Sequence, residues 1–241
     1  MINDFLAKED LALFGSGSRF TTGSVLFDQG KKDTFAVFDV YVRDLPPKRN
    51  YLVAAGLEHI ADFLLNLKFS RSQVSYIKAN IKISQPLARY LKNFRLRGDL
   101  WAAPEGTLIF PNEPILRLTL PIIDAGLIEQ YVINTIMLQT MLASKFSRVV
   151  NAAAGKGTGF VPVRTHGTDS AMKSIRIAKM VGFTRSGLLA AAYLAGEKTG
   201  GGVFSTHYFI LTFPNELAAF RALAKNGGQN LSFLVDTYDF K

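Results

Sequence analysis

The sequence predicts a mixed α/β fold: an N-terminal α+β domain over residues 1–120 followed by a partial α/β barrel over residues 121–241. Three observations carry that expectation. Helical and strand patterns come in separate blocks before residue 120, whereas beyond Gly155 short apolar strand candidates alternate with helical segments. A complete α/β barrel takes about 250 residues, more than this stretch holds, so the barrel is incomplete.

The elements follow in order. FAVFDVYVR (35–43) alternates among β-formers and predicts a strand, ended by DLPPKRN because two prolines cannot continue a ladder. YLVAAGLEHIADFLLNLKF (51–69) spaces Leu57, Ile60, Ala61, Leu64 and Leu65 at helical intervals. In FSRSQVSYIKAN (69–80), Ser70 is placed to cap a helix, with Gln73 three residues on completing a capping box. Pro86 opens a third short helix through LARYLKNF (87–94). From 95 to 120 glycines and prolines punctuate short β-rich pieces, predicting a small barrel-like or sandwich-like β unit. Residues 122–154 are helical in pattern and are expected to form two helices with a bend. The alternating tail comprises GFVPVR (159–164), SAMKSIRIAKMVG (170–182), LLAAAYLAG (188–196), GVFSTHYFILTF (202–213), NELAAFRALAKN (215–226) and LSFLVDTYD (231–239). An open barrel edge has to be paired or covered, which predicts a homo- or hetero-oligomer.

Composition narrows the chemistry. Hydrophobic residues make up 48% of the chain, enough for a sizeable core. There is no cysteine, which excludes disulfides, zinc-thiolate sites and cysteine nucleophiles. The net charge of +9 suits polyanionic partners, whether nucleic acid, an anionic membrane surface or a phosphate-rich small molecule. Lys and Arg are scattered, however, and the aromatics lie in apolar runs rather than basic stripes, which argues against nucleic acid. The apolar run over 122–143 is interrupted by Asp124, Glu129, Gln130, Asn134 and Gln139, so no membrane span is expected. The opening MINDFLAKEDLALFGSGSRF lacks the pattern of a signal peptide, and a cytoplasmic or organelle-matrix location is expected.

Candidate site residues fall at predicted strand ends. In VPVRTHGTDSAM (161–172), Arg164 and His166 alternate and so face one way, and Thr168 or Asp169 can cap the helix that follows. Cations at a strand end that opens into a helix N-terminus make an anion pocket. His207 lies at the front of an apolar run in a comparable place; its bland reading is a polar residue capping a turn beside a core strand. Asp236 and Asp239 flank Tyr238 near the last strand, where a barrel places functional carboxylates. Glu105, in the PEG turn 104–106, reads first as structural and second as a base or salt-bridge partner. No GxxxxGK[ST] phosphate loop is present, and no metal cluster is predicted.

Taken in order, FAVFDVYVRDLPPKRNYLVAAGLE (35–58), YLKNFRLRGDLWAAPEGTLIFPNEPILRL (90–118), the helix from Glu129 to Ala143, RTHG (164–167), the STHYF window and LVDTYD (234–239) resemble the nicotinate phosphoribosyltransferase family. The likeness runs through nearly the whole chain but corresponds to the N-terminal half, or slightly more, of that family. It implies a type II phosphoribosyltransferase fold in which nicotinate displaces pyrophosphate from phosphoribosyl pyrophosphate, with magnesium holding the phosphates. It also implies an ATP-coupled step in pyridine nucleotide salvage, with His207 aligned to the histidine that takes the phosphate. Arg164, His166, Asp236 and Asp239 then contact substrate. An imidazole nitrogen is a competent phosphoryl acceptor, and nearby cations stabilise developing phosphate charge.

The chain departs from that family's pattern at ligand-contacting positions. Ser16, Gly17 and Ser18 replace its Asp-Leu-Tyr; Val163 replaces the first of its paired arginines, and Gly159 the acid before it. Val203 and Phe204 replace its Gly-Thr, Tyr208 replaces its serine after the histidine, and Gly187 and Leu188 replace its Ser-Asn. Two functional readings therefore stand: a phosphoribosyltransferase that is impaired or dependent on a second chain, and a catalytically inactive relative serving as a structural or regulatory subunit.

Overall fold

The computed structural model describes residues 6–165, 167–197, 203–227 and 231–239. Two compact units emerge, Met1–Leu188 and Leu189–Lys241. The first opens with a 3₁₀ turn, Lys8–Leu13, and helix α1, Ser18–Asp28.

A three-stranded antiparallel sheet follows, in the order β1–β5–β3, built from Phe35–Tyr41, Pro114–Pro121 and Asp99–Ala102. Leu116, Leu118 and Leu120 of β5 turn into the core, while Arg117 turns outward between Asp39 and Trp101. Its guanidinium binds Asp39 with two hydrogen bonds of 2.7 and 2.8 Å. Gly98, just before β3, has a φ of +132°, and a Cβ there would lie 2.1 Å from the Thr119 carbonyl oxygen. Only glycine lets the two strands approach so closely.

Two short strands, β2 (Leu52–Val53) and β4 (Leu108–Ile109), pair antiparallel. The segment read as helical over 51–69 thus begins as strand, and helix α2 covers only Leu57–Asn66. Helix α3, Arg71–Asn80, carries the predicted capping box: Ser70 Oγ accepts from the Gln73 amide, and Gln73 Oε1 accepts from the Ser70 amide. Helix α4, Gln85–Lys92, has Pro86 in its first turn and Ser84 as its cap.

Helix α5 is one uninterrupted 31-residue element, Ile122–Ala152, and not two helices with a bend. It contains no proline, and two polar side chains of its buried face, Thr140 and Ser144, are hydrogen-bonded in the interior. Ser144 Oγ accepts from the Val53 amide at 2.8 Å, and Thr140 Oγ1 accepts from the Ala55 amide at 3.3 Å and donates to the Ala55 carbonyl at 3.2 Å. The helix therefore serves the free edge of β2, as a neighbouring strand would.

One core joins α1–α4, the sheet and the first half of α5 around Ile60, Leu87, Leu91, Phe94 and Ile128. A second gathers the far half of α5 against helix α6, Thr168–Met180, and the parallel pair β6 (Gly159–Phe160) and β7 (Arg185–Ser186). Phe146, Phe160 and Phe183 close it, with ring centroids 4.7–6.0 Å apart.

The second unit holds helix α7 (Leu189–Leu194), strand β8 (Val203–Phe204), helix α8 (His207–Ile210), helix α9 (Glu216–Asn226) and strand β9 (Leu231–Ser232). β8 and β9 run parallel. Ile210, Ala219 and Leu223 form its small interior, and Asn215 caps α9 by accepting from the Ala218 amide at 2.9 Å.

Candidate functional site

His207 stands at the first position of α8, not on a strand; β8 ends at Phe204. The reason is local. A two-residue parallel strand leaves room for the Ser205–Thr206 turn, and the apolar run beyond it winds into helix to bury Ile210. Ser205 fastens this turn: it is fully buried, its amide donates to the Ser232 carbonyl at 3.0 Å, and its hydroxyl accepts from the Leu234 amide at 2.6 Å. The same link brings the segment after β9 alongside His207.

There the imidazole meets two groups. Nδ1 lies 3.1 Å from Thr237 Oγ1, and Nε2 lies 3.9 Å from Asp236 Oδ1, with both the His207 and Asp236 side chains about 40% exposed. A half-exposed imidazole nitrogen is chemically able to act as a base or a nucleophile. Asp239 lies three residues further on and is exposed.

Arg164 belongs to the first unit. The expected strand over 159–164 ends at Phe160, so Arg164 sits on an exposed turn, not at a strand end. Pro162 contributes to that early ending, because it has no amide to donate to a ladder. His166 lies outside the described residues. Asp169, two residues beyond Gly167, stands in the first turn of α6 and is paired with Lys173 at 2.7 Å.

A second cluster of charges was only partly visible in the sequence. Glu105, at the PEG turn between β3 and β4, accepts from the Gly56 amide at 2.6 Å and so caps α2, whose own cap residue is a glycine with φ +109°. Its other oxygen binds Arg176 of α6, which also binds Glu58 of α2. Burial pushes the Glu105 carboxyl up, but the Arg176 guanidinium and the Gly56 and Leu57 amides outweigh it and hold the group below its ordinary value. Glu105 is thus a structural salt-bridge partner and helix cap. Gln139 of α5, fully buried, and His59 of α2 complete the cluster. Among the described residues no set of three His, Asp or Glu side chains is gathered as a metal site requires.

A small α/β unit with its parallel pair, attached in sequence to an α+β domain, defines the class: the fold is that of the type II phosphoribosyltransferases. It superposes with a TM-score of 0.75 on human nicotinic acid phosphoribosyltransferase, at 20% identity over 83% of this chain and 40% of that one. The nicotinate-nucleotide pyrophosphorylase of Pyrococcus furiosus gives the same TM-score at 21% identity, over 99% of this chain and 54% of that one.

Residues 18–137 match the nicotinate phosphoribosyltransferase (NAPRTase) N-terminal domain. Nicotinate phosphoribosyltransferase pncB2 of Mycobacterium tuberculosis is 43% identical over 205 residues, which is 85% of this chain and 44% of that protein. The Bacillus subtilis nicotinate phosphoribosyltransferase is 33% identical over 207 residues, 85% of this chain and 41% of that protein. The chain thus spans less than half the length of these relatives. Among the described residues no helix is long and apolar enough to cross a membrane.

Proposed function

We propose that this chain supplies the N-terminal domain and the first part of the barrel of a phosphoribosyltransferase that joins nicotinate to phosphoribosyl pyrophosphate in NAD salvage. The observation that carries the reading is the His207 site, held in a family-related chain by Ser205, Thr237 and Asp236. In the coupled step, a lone pair on the His207 imidazole attacks the γ-phosphorus of ATP. The N–P bond forms, the bond from phosphorus to the bridging oxygen breaks, and ADP leaves with that electron pair. Arg164 and His166 are proposed to meet substrate phosphates, and Asp236 and Asp239 to orient the histidine and the ribose. Magnesium, which the resemblance implies, would arrive on the phosphates themselves, because the described residues gather no metal cluster; no step is drawn through it.

The test is direct. Incubated with γ-labelled ATP and magnesium, the chain should take up an acid-labile phosphate that His207→Ala abolishes. In the presence of nicotinate and phosphoribosyl pyrophosphate, nicotinate mononucleotide should form once the remaining barrel strands are supplied. A chain that takes up no label and shows no melting shift with either substrate is the inactive relative, kept for its scaffold.

A further inference from the structure

The cluster around Gln139 does more than hold helices together. Arg176 carries only donors, so the atom of the Gln139 amide facing its Nη1 at 3.4 Å is the carbonyl oxygen. The amide NH₂ is thereby turned toward His59 Nδ1, 3.3 Å away. Nδ1 has to accept, which places the single ring proton on Nε2 and leaves the ring neutral.

Protonating His59 breaks this chain of bonds whichever way the amide turns. An N–H at Nδ1 would face the NH₂ of Gln139; rotating the amide to offer its oxygen would set the NH₂ against the Arg176 guanidinium. Gln139 is fully buried, where a polar atom left facing the wrong partner is costly. The surrounding charges act in the same direction. Arg176 and Lys173 on α6 repel an imidazolium, and the two carboxylates that attract it, Glu58 on α2 and Glu105 on the β3–β4 turn, are already engaged by Arg176. Burial, followed by the Arg176 and Lys173 charges, keeps the His59 ring below its ordinary value.

We infer that His59, Gln139 and Arg176 form an acid-sensitive latch that joins α2, α5 and α6 at neutral pH and weakens the hold on α6 when His59 is protonated, leaving Arg176 its bonds to Glu58 and Glu105. Because α6 follows the Arg164 turn directly in sequence, loosening it loosens one end of the segment that carries Arg164.

Two measurements on the intact chain test the latch: titration of the His59 ring by NMR, assigned with His59→Gln, and amide exchange over α2 and α6, corrected for intrinsic rates, at neutral and mildly acidic pH. The wild-type ring should titrate below 6.5, the ordinary value. Opening of α6 should become up to about tenfold easier per pH unit below that point, the slope of one linked proton. Gln139→Glu supplies a carboxylate that accepts from Arg176 and imidazolium alike, so His59 should then titrate above its ordinary value and α6 should keep its protection in acid. A wild-type His59 that titrates at or above 6.5 overturns the latch, as does a folded Gln139→Glu chain in which His59 does not move upward. Should Gln139→Glu not fold, His59→Gln decides with the wild type: it cannot charge, so acid-induced opening that persists in it also overturns the latch.

Discussion

Replacing Asp124 with asparagine should make the stability of the chain respond differently to pH, and the structure sets the size of the effect. Asp124 is the third residue of α5 and has no exposed surface. Tyr90 Oη donates to its Oδ1 at 2.6 Å, but Oδ2 is buried with no hydrogen-bond partner among the described residues. Burial is the leading influence and raises the carboxyl from 3.8 to about 6; the Tyr90 hydroxyl and the Arg97 charge pull the other way, and Asp33 adds to the rise. In the unfolded chain the group returns to its ordinary value, so between pH 3.8 and about 6 the folded chain binds the extra proton. Stability from this group is therefore present in acid and is lost as pH rises through that window. A shift of about two units corresponds to about 3 kcal/mol, of which roughly 2.5 falls between pH 4 and pH 8.

The asparagine side chain cannot ionise. It keeps an oxygen for Tyr90 but leaves its NH₂ unpartnered, a cost of about 1–3 kcal/mol that does not vary with pH. The quantity to measure is therefore the difference between variant and wild-type unfolding free energies, taken by urea denaturation at several pH values and followed by circular dichroism. That difference should move in favour of Asp124→Asn by roughly 2.5 kcal/mol from pH 4 to pH 8. Curves that run parallel across the range would refute the reasoning, because they would mean that the buried carboxylate bears no penalty for its charge.

Other outcomes follow from the same structure. Gly98→Ala should destabilise the chain by about 3 kcal/mol or more in chemical denaturation, because a Cβ would collide with the Thr119 carbonyl and the positive φ would be strained. Glu105→Ala removes the α2 cap and half of Arg176's counter-charge, and should lower stability by about 3 kcal/mol, read from the denaturation midpoint at unchanged slope. His207→Ala, by contrast, should leave the melting temperature nearly unchanged, since its ring is about 40% exposed and its neighbours Thr237 and Asp236 keep access to water, while it abolishes phosphate labelling.

Features governed by neighbours in the chain were legible from the residues alone. The Ser70–Gln73 capping box, the Pro86 helix start and the PEG turn each depend on contacts within a few positions, and each is found where the pattern put it; the strand through Phe38 and Val40 is also where its β-formers put it, although its pairing with β5 comes from the fold. The site was legible in part. His207 and Asp236 were both marked, and they do meet, but Thr237 and the fastening role of Ser205 were missed. A hydroxyl in the LVDTYD pattern, next to a marked carboxylate, was the available signal. Arg164 was expected at a strand end, on the strength of a strand that the structure makes only two residues long.

Local residue chemistry determined the caps, the breaks, the apolar faces and the family likeness, because those depend on sequence spacing and side-chain type. Only the tertiary structure decided that Gln139, Thr140 and Ser144 lie inside one continuous helix, and that Glu105 caps a helix beginning nearly fifty positions before it. The physical reason is the same in each case: a polar group in the interior is tolerable only when a donor or acceptor from elsewhere in the chain reaches it, and that partner is named by the fold, not by the neighbouring residues.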